Sequence, residues 1–233
     1  MKLLDFIKKK RIKEKFPNCT EPLYALIITD THGHVRTEKI NDFLSDITKI
    51  DVIFTLGDIE YRDFEIINNH PQLGKIKKYG LLGNHDYFSV LKDCGVESIH
   101  GQKIELNGIS FTGMYGSIRY KSQNTPMFTD EESIQIATLL PDCDIFLTHD
   151  KAKVKEWDEN KSRWSFAHSG MFGIGNYIKE QKPVYHIHGH LHENMQEEIN
   201  GILSVGIGRY AYLKIDKSGM EIIKYFGPGF KKY

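Results

Sequence analysis

The chain has 233 residues, and its 31 lysines and arginines balance 31 aspartates and glutamates, so it carries no global field toward nucleic acid or an anionic membrane. That length suffices for one domain with a substantial core, whereas two domains would both be small. Cys19, Cys94 and Cys143 lack paired spacing, Met1 opens no signal-peptide stretch and no apolar run reaches membrane length, so the expected location is the cytoplasm.

Taken in chain order, residues 2–16 mix lysine and arginine with Leu3, Leu4, Phe6, Ile7, Ile12 and Phe16. This predicts a basic, partly amphipathic helix ended near Pro17, a solvated extension over about 1–17 of a single domain spanning 1–233. From Pro22 to about Asp93 short apolar runs alternate with helical periods, the pattern of repeated βα units, with helices over 37–49 and 62–69. Lys103–Leu106 and Ile109–Thr112 flank Asn107-Gly108, a strong hairpin signal. Thr129-Asp130-Glu131-Glu132 has the form of a capping box that opens another helix. Residues 168–181 predict a helix and 184–188 a strand. The tail from Met195 to Phe226 reads as short strands, with turns at Asn200-Gly201 and Lys217-Ser218-Gly219. Periodicity alone gives an α/β chain with a mixed sheet.

Five short segments hold the chemistry: Asp30-Thr31-His32, Gly57-Asp58, Gly83-Asn84-His85-Asp86, His149, and Gly189-His190-Leu191-His192. Each follows an apolar run ending in a turn signal. Ligands of open α/β sheets gather beyond the carboxyl ends of the strands, so five such ends would deliver Asp, His and Asn to one edge. In extended backbone, residues two apart project to the same side, which would let Asp30 with His32, and His190 with His192, face one cluster. Glycines 57, 83 and 189 suit tight turns or close backbone approach.

Together these segments resemble the calcineurin-like metallophosphoesterase superfamily, whose pattern DxH, GD, GN-H-D/E, H, GHxH is matched in order over residues 30–192. One such triplet is weak evidence; five in order are specific. The resemblance implies a four-layer sandwich of two mixed β-sheets flanked by helices. It also implies two divalent metal ions, one held by Asp30, His32 and His192 and the other by Asn84, His149 and His190, with Asp58 bridging. Two such ions about 3.5–4 Å apart repel by roughly 15–20 kcal/mol at an effective dielectric of ~20. Two carboxylates and a bridging hydroxide reduce that charge, whereas neutral imidazoles and an amide bind without removing it entirely. The implied reaction is in-line attack of the bridging hydroxide on phosphorus, with His85 protonating the leaving oxygen. Donors limited to N and O make manganese the first expectation, with iron, zinc or nickel as alternatives.

Other residues are weighed against plainer roles. His186 and His188 continue the alternation of His190 and His192, but the family pattern uses only the last two, so hydrogen-bonded strand histidines are expected. His34 suits a turn as well as a substrate contact, and His70 and His100 lie outside any motif. The loop from Lys151 to Trp164 leaves directly from His149 and mixes basic residues with Trp157 and Trp164, a combination that can stack a base and hold phosphate. Ser117–Lys121 is a weaker candidate of that kind.

Protein phosphatases of the superfamily carry GDxVDRG followed by GNHE. Here Arg62 stands at their phosphate-gripping arginine, but Tyr61 replaces the aspartate that pairs with their histidine, Asp63 replaces the final glycine, and Asp86 replaces the glutamate. Glu60 or Asp86 could partner His85 instead. The favoured reading is a phosphodiesterase acting on small or cyclic nucleotide-type phosphoesters. The alternatives are a phosphomonoesterase or protein phosphatase and, distantly, a silent scaffold such as one retromer subunit of this fold.

Overall fold

The computed structural model describes residues 14–155 and 163–232, the side chains of residues 163 and 164 excepted. The predicted N-terminal helix falls mostly outside them. The strands and helices run, in chain order, β1 (Leu23–Ile28), α1 (Thr37–Leu44), β2 (Val52–Thr55), α2 (Tyr61–Asn69), β3 (Lys78–Gly80), α3 (Val90–Asp93), β4 (Glu97–Ser98), β5 (Ile104–Leu106), β6 (Ile109–Met114), β7 (Ser117–Ile118) and β8 (Met127–Phe128). There follow α4 (Asp130–Leu139), β9 (Ile145–Thr148), α5 (Arg163–Ala167), α6 (Phe172–Gln181), β10 (Tyr185–His188), β11 (Met195–Ile199), β12 (Ile202–Gly206), β13 (Tyr210–Asp216), β14 (Gly219–Tyr225) and β15 (Lys231–Lys232).

Two mixed sheets form, one ordered β14-β13-β1-β2-β3-β4 and the other β15-β11-β12-β10-β9-β6-β5. Within the first, β1 to β4 are parallel and β13 and β14 antiparallel additions. Within the second, β6, β9, β10 and β12 run parallel. The sheets face each other across a core that includes Ala25, Ile27, Phe54, Phe111, Ile145, Leu147 and Ile187. The two-residue alternation decides this division. Leu26 and Ile28 of β1 point the other way, onto Ile40, Phe43, Phe64 and Ile67 of α1 and α2. Phe146 of β9 points onto Ile174, Tyr177 and Ile178 of α6. A strand buried on both faces must be apolar at successive positions, which is why the runs read as continuous. The result is the expected four-layer sandwich, and Phe16 closes the central core from the N-terminal side.

Some local signals hold and others stop short. Asn107 and Gly108 take φ of 52° and 78° between β5 and β6, as a two-residue hairpin turn requires. Thr129 and Glu132 form the reciprocal capping box of α4. The first crossover helix is shorter than predicted, ending at Leu44, and Ile47 and Ile50 continue its apolar pattern as buried loop residues. The helix predicted over 168–181 begins only at Phe172. Gly170, at φ 86°, separates it from α5, and a Cβ there would meet the Lys151 carbonyl at 2.7 Å.

Candidate metal centre

The carboxyl ends of β1, β2, β3, β9 and β10 converge, and the loops leaving them carry the five segments. Their backbone is not extended. Asp30, His32, Asp58, His190 and His192 have φ of 52°, 45°, 54°, 66° and 56°, in the left-handed region that costs a residue with a Cβ. The expectation that i and i+2 face one way because the strand continues is therefore corrected. β1 ends at Ile28 and β10 at His188, and tight left-handed turns beyond them aim the side chains. Strain of this kind persists only where surrounding contacts over-determine it.

Those contacts are visible. Asp63, buried in α2, accepts from Thr31 Oγ1 at 2.5 Å, Gly33 N at 2.7 Å and Val35 N at 3.0 Å, and so pins the loop after β1. Asp86 accepts from Gly83 N and Asp58 N, both at 2.8 Å, and from Ile59 N at 3.1 Å, which ties the loops after β2 and β3 together. The glycines allow the approach, since a Cβ on Gly83 would lie 2.2 Å from Asp58 Oδ1 and one on Gly189 2.2 Å from Thr29 Oγ1.

Each carboxylate has one oxygen committed and one free. Asp30 Oδ2 accepts from Thr29 Oγ1 at 2.6 Å and His190 N at 2.8 Å, while its Oδ1 has no partner. Asp58 Oδ1 accepts from His85 N at 2.8 Å, while its Oδ2 is unpartnered, 3.5 Å from His149 Nε2 and 3.7 Å from His32 Nε2. His32 Nε2 is likewise buried and unpartnered, and His192 Nε2 is 3.7 Å from Asp30 Oδ1. Potential ligand atoms of Asp30, Asp58, His149 and His190 lie within 4.8 Å of one another, as do those of Asp30, His32 and His192.

These distances do not describe ion pairs. Burial holds His149 well below the usual imidazole pKa and brings His32, His190 and His192 down to about 4. Burial also pushes Asp30 up to about 7, and burial with the Asp86 and Asp30 charges raises Asp58 well above the carboxylate range. The pocket thus favours neutral imidazoles and resists two bare carboxylates, a donor set whose charge a cation would balance. The histidine tautomers agree. His149 Nδ1 donates to the Leu56 carbonyl at 2.7 Å and His190 Nε2 to the Ala167 carbonyl at 2.9 Å, leaving the opposite nitrogens as acceptors. Asn84 Nδ2 donates to Tyr120 Oη at 3.0 Å. Its Oδ1 therefore faces the lone pair of His149 Nε2 across 3.0 Å, two acceptors with no proton between them. Buried unpaired acceptors are costly, and a divalent cation would relieve them all. The residues fit the group.

His85 stands exposed beside this cluster, edge-on to His32 with ring centroids 5.3 Å apart. Neither carboxylate suggested as its partner takes that role, because Asp86 is spent on backbone amides and Glu60 faces Arg62 Nε at 3.3 Å. The Arg62 guanidinium lies where a Cβ on Gly33 would be, beside His32. Trp157 and the Trp164 side chain lie outside the described residues. His186, buried on β10, bonds Thr148 Oγ1 and Ser204 Oγ, each at 2.8 Å, and His188 Nδ1 donates to the Gly189 carbonyl at 3.0 Å. Both are strand histidines behind the cluster. His34 is exposed in the turn, His70 bonds Asn41, and His100 stacks on Tyr115.

Four residues near the cluster had no motif to announce them. Tyr120 and Asp63 orient ligand-bearing loops, His168 stacks on His190 at 4.8 Å between centroids, and the half-buried Arg209 hands its carbonyl to Thr29 N at 2.9 Å. All reach the site through long-range topology; the 117–121 segment carries a signal for Tyr120, and Asp63 stands in the phosphatase-like block without a sign of its anchoring role.

A family model, the calcineurin-like phosphoesterase superfamily domain, matches residues 23–223. The chain belongs to this superfamily of metal-dependent phosphoesterases, and its buried Asp/His cluster fits a metal site. No curated protein matches the chain. Among solved structures, the protein TT1561 of Thermus thermophilus is similar at TM-score 0.59 and 16% identity, covering 87% of this chain and 98% of that one. Phosphopantetheinyl hydrolase (PptH) from Mycobacterium tuberculosis is similar at TM-score 0.54 and 12% identity, over 82% and 91%. Purple acid phosphatase PPD1 from yellow lupin reaches TM-score 0.50 at 14% identity, over 90% of this chain and 52% of that one. These likenesses concern the fold. Among the described residues no helix is long and apolar enough to cross a membrane.

Proposed function

We propose that the chain hydrolyses phosphoesters with two divalent ions, one held by Asp30, His32 and His192 and the other by Asn84, His149 and His190, with Asp58 shared. The observation that carries this reading is the set of buried, unpartnered acceptor atoms converging on one point, with Asp30 Oδ1 and Asp58 Oδ2 foremost. Such ions, when bound, polarise phosphoryl oxygens and lower the pKa of a coordinated water, manganese being the first candidate. The chain's own residues do the rest. Asp58 offers Oδ2 to the centre while His85 N fixes Oδ1. His85, exposed and, among the described residues, engaged with no carboxylate, would hand a proton to the leaving oxygen. Arg62, lying on Gly33 beside His32, would meet a phosphoryl oxygen.

A small or cyclic nucleotide-type diester is favoured over a phosphoprotein. The position that ends the protein-phosphatase block as glycine is here Asp63, whose carboxylate is wholly used in holding the loop after β1. The test is metal content by atomic emission together with hydrolysis of bis(p-nitrophenyl) phosphate and p-nitrophenyl phosphate. The wild-type protein should carry two ions and turn over the diester faster, and Asp58→Asn should lose both ions and turnover. A variant keeping two tightly held ions and normal rates would overturn the assignment.

A further inference from the structure

A cleft of about 530 Å³ opens beside His32, Asp58 and His85. Tyr61, the first residue of α2, and Tyr87, in the turn after Asp86, line it with their residues 60% and 77% exposed. Single exposed aromatics are ordinary. Two that converge on the cleft holding the reactive side chains leave apolar surface in water where a ligand would cover it. The same wall carries Asp93, and Glu60, whose charge is met by Arg62 Nε at 3.3 Å. Such a lining offers aromatic surface for stacking, and Asp93 opposes an additional anionic group.

We infer that this cleft receives the leaving group of the substrate, that this group is a flat, uncharged aromatic alcohol moiety, and that Tyr61 and Tyr87 are its specificity-determining contacts. The inference rests on the phosphoesterase reading above and narrows it. The position beside His85 suits this, because the group that departs is the one His85 would protonate. Esters whose leaving group carries further phosphates or a carboxylate are disfavoured by Asp93.

The test uses the full-length, manganese-loaded protein and binding by calorimetry. The probes are methyl phosphate, phenyl phosphate, 4-carboxyphenyl phosphate and adenosine 5′-monophosphate. Phenyl phosphate and the nucleotide should bind more tightly than methyl phosphate by about 5–150-fold, the range of one stacked ring, and whichever of the two is tighter identifies the ring as aryl or base. The carboxylated ring should bind more weakly than phenyl phosphate, and Asp93→Asn should narrow that gap. In Tyr61→Leu and Tyr87→Leu the phenyl-to-methyl affinity ratio should collapse toward one. Equal affinity for phenyl and methyl phosphate in the wild type, or an unchanged ratio in both variants, would overturn the inference. Hydrolysis of bis(p-nitrophenyl) phosphate, run in parallel, separates the two failures. If it persists without ring preference, only the leaving-group assignment falls, and if it is absent, the phosphoesterase reading falls with it.

Discussion

At the scale of single residues, His85 and Tyr120 make separable demands on the site. His85 fixes Asp58 through its backbone N–H and sets its ring edge-on to His32, so on the proposed ligand set its side chain can be removed without removing a ligand. His85→Ala should lower kcat by roughly 10²–10⁴-fold with metal content near that of the wild type. The deficit should shrink for substrates with acidic leaving groups, which depart unprotonated. A lost metal ion would show that His85 is itself a ligand. Tyr120 acts through Asn84, because accepting from Nδ2 is what turns Oδ1 inward. Tyr120→Phe should weaken binding of one ion by about 10–100-fold, the usual effect of a lost outer partner, as read by metal titration with a chelating dye. Equal affinity for both ions before and after would remove Tyr120 from this role.

At the scale of elements, the sheets deliver strand ends and the loops decide what those ends do. The left-handed turns at Asp30, His32, Asp58 and His190 are held by backbone hydrogen bonds to other segments, and the His192 ring stacks on His32, with Asp63 of α2 and Asp86 before α3 anchoring the loops after β1, β2 and β3. Helices on the far side contribute to stability without touching the site. The clearest case is α4, whose first turn is closed by Thr129 Oγ1 accepting from Glu132 N and Glu132 accepting from Thr129 N. Thr129→Ala should destabilise the fold by about 0.5–2 kcal/mol in urea unfolding and leave metal stoichiometry unchanged. No change in the unfolding midpoint would mean that the box adds nothing in this context.

Across the whole molecule, the outer face of the second sheet buries a neutral histidine whose cost is set by pH. His186 is enclosed between Thr148 and Ser204, and burial, with His188 adding to it, holds its pKa well below the ordinary value. A histidine depressed on folding contributes stability that is complete above the unfolded pKa of about 6.5 and declines as pH falls toward the folded value. Each such group steepens the loss by up to about 1.4 kcal/mol per pH unit. In chelator, the wild-type unfolding midpoint should therefore fall between pH 7.5 and 5 by more than that of His186→Gln. Parallel pH profiles would show that His186 is protonated at no cost in the folded state.

Much of this was written locally. The order and residue types of the five segments were legible because coordination chemistry restricts the donors and each donor follows an apolar run. The hairpin at Asn107-Gly108 and the box at Thr129 were legible because their partners lie within a few residues. The fold's layers followed from the family resemblance more than from periodicity, since a run such as Leu26-Ile27-Ile28 does not say which face meets the other sheet. What only the tertiary structure decided is the aim of the side chains. Left-handed backbone at these aspartates and histidines, unlike that of Asn107 in its Asn-Gly turn, has no local signature, since contacts from residues far away in sequence impose it, Asp63 on the loop after β1 and Asp86 on the loop after β2. For the same reason Tyr120 could not be read as the partner of Asn84, 36 positions earlier. Types and order of donors are properties of the chain, whereas orientation, protonation and the free lone pairs facing one another arise only when five strand ends share one edge.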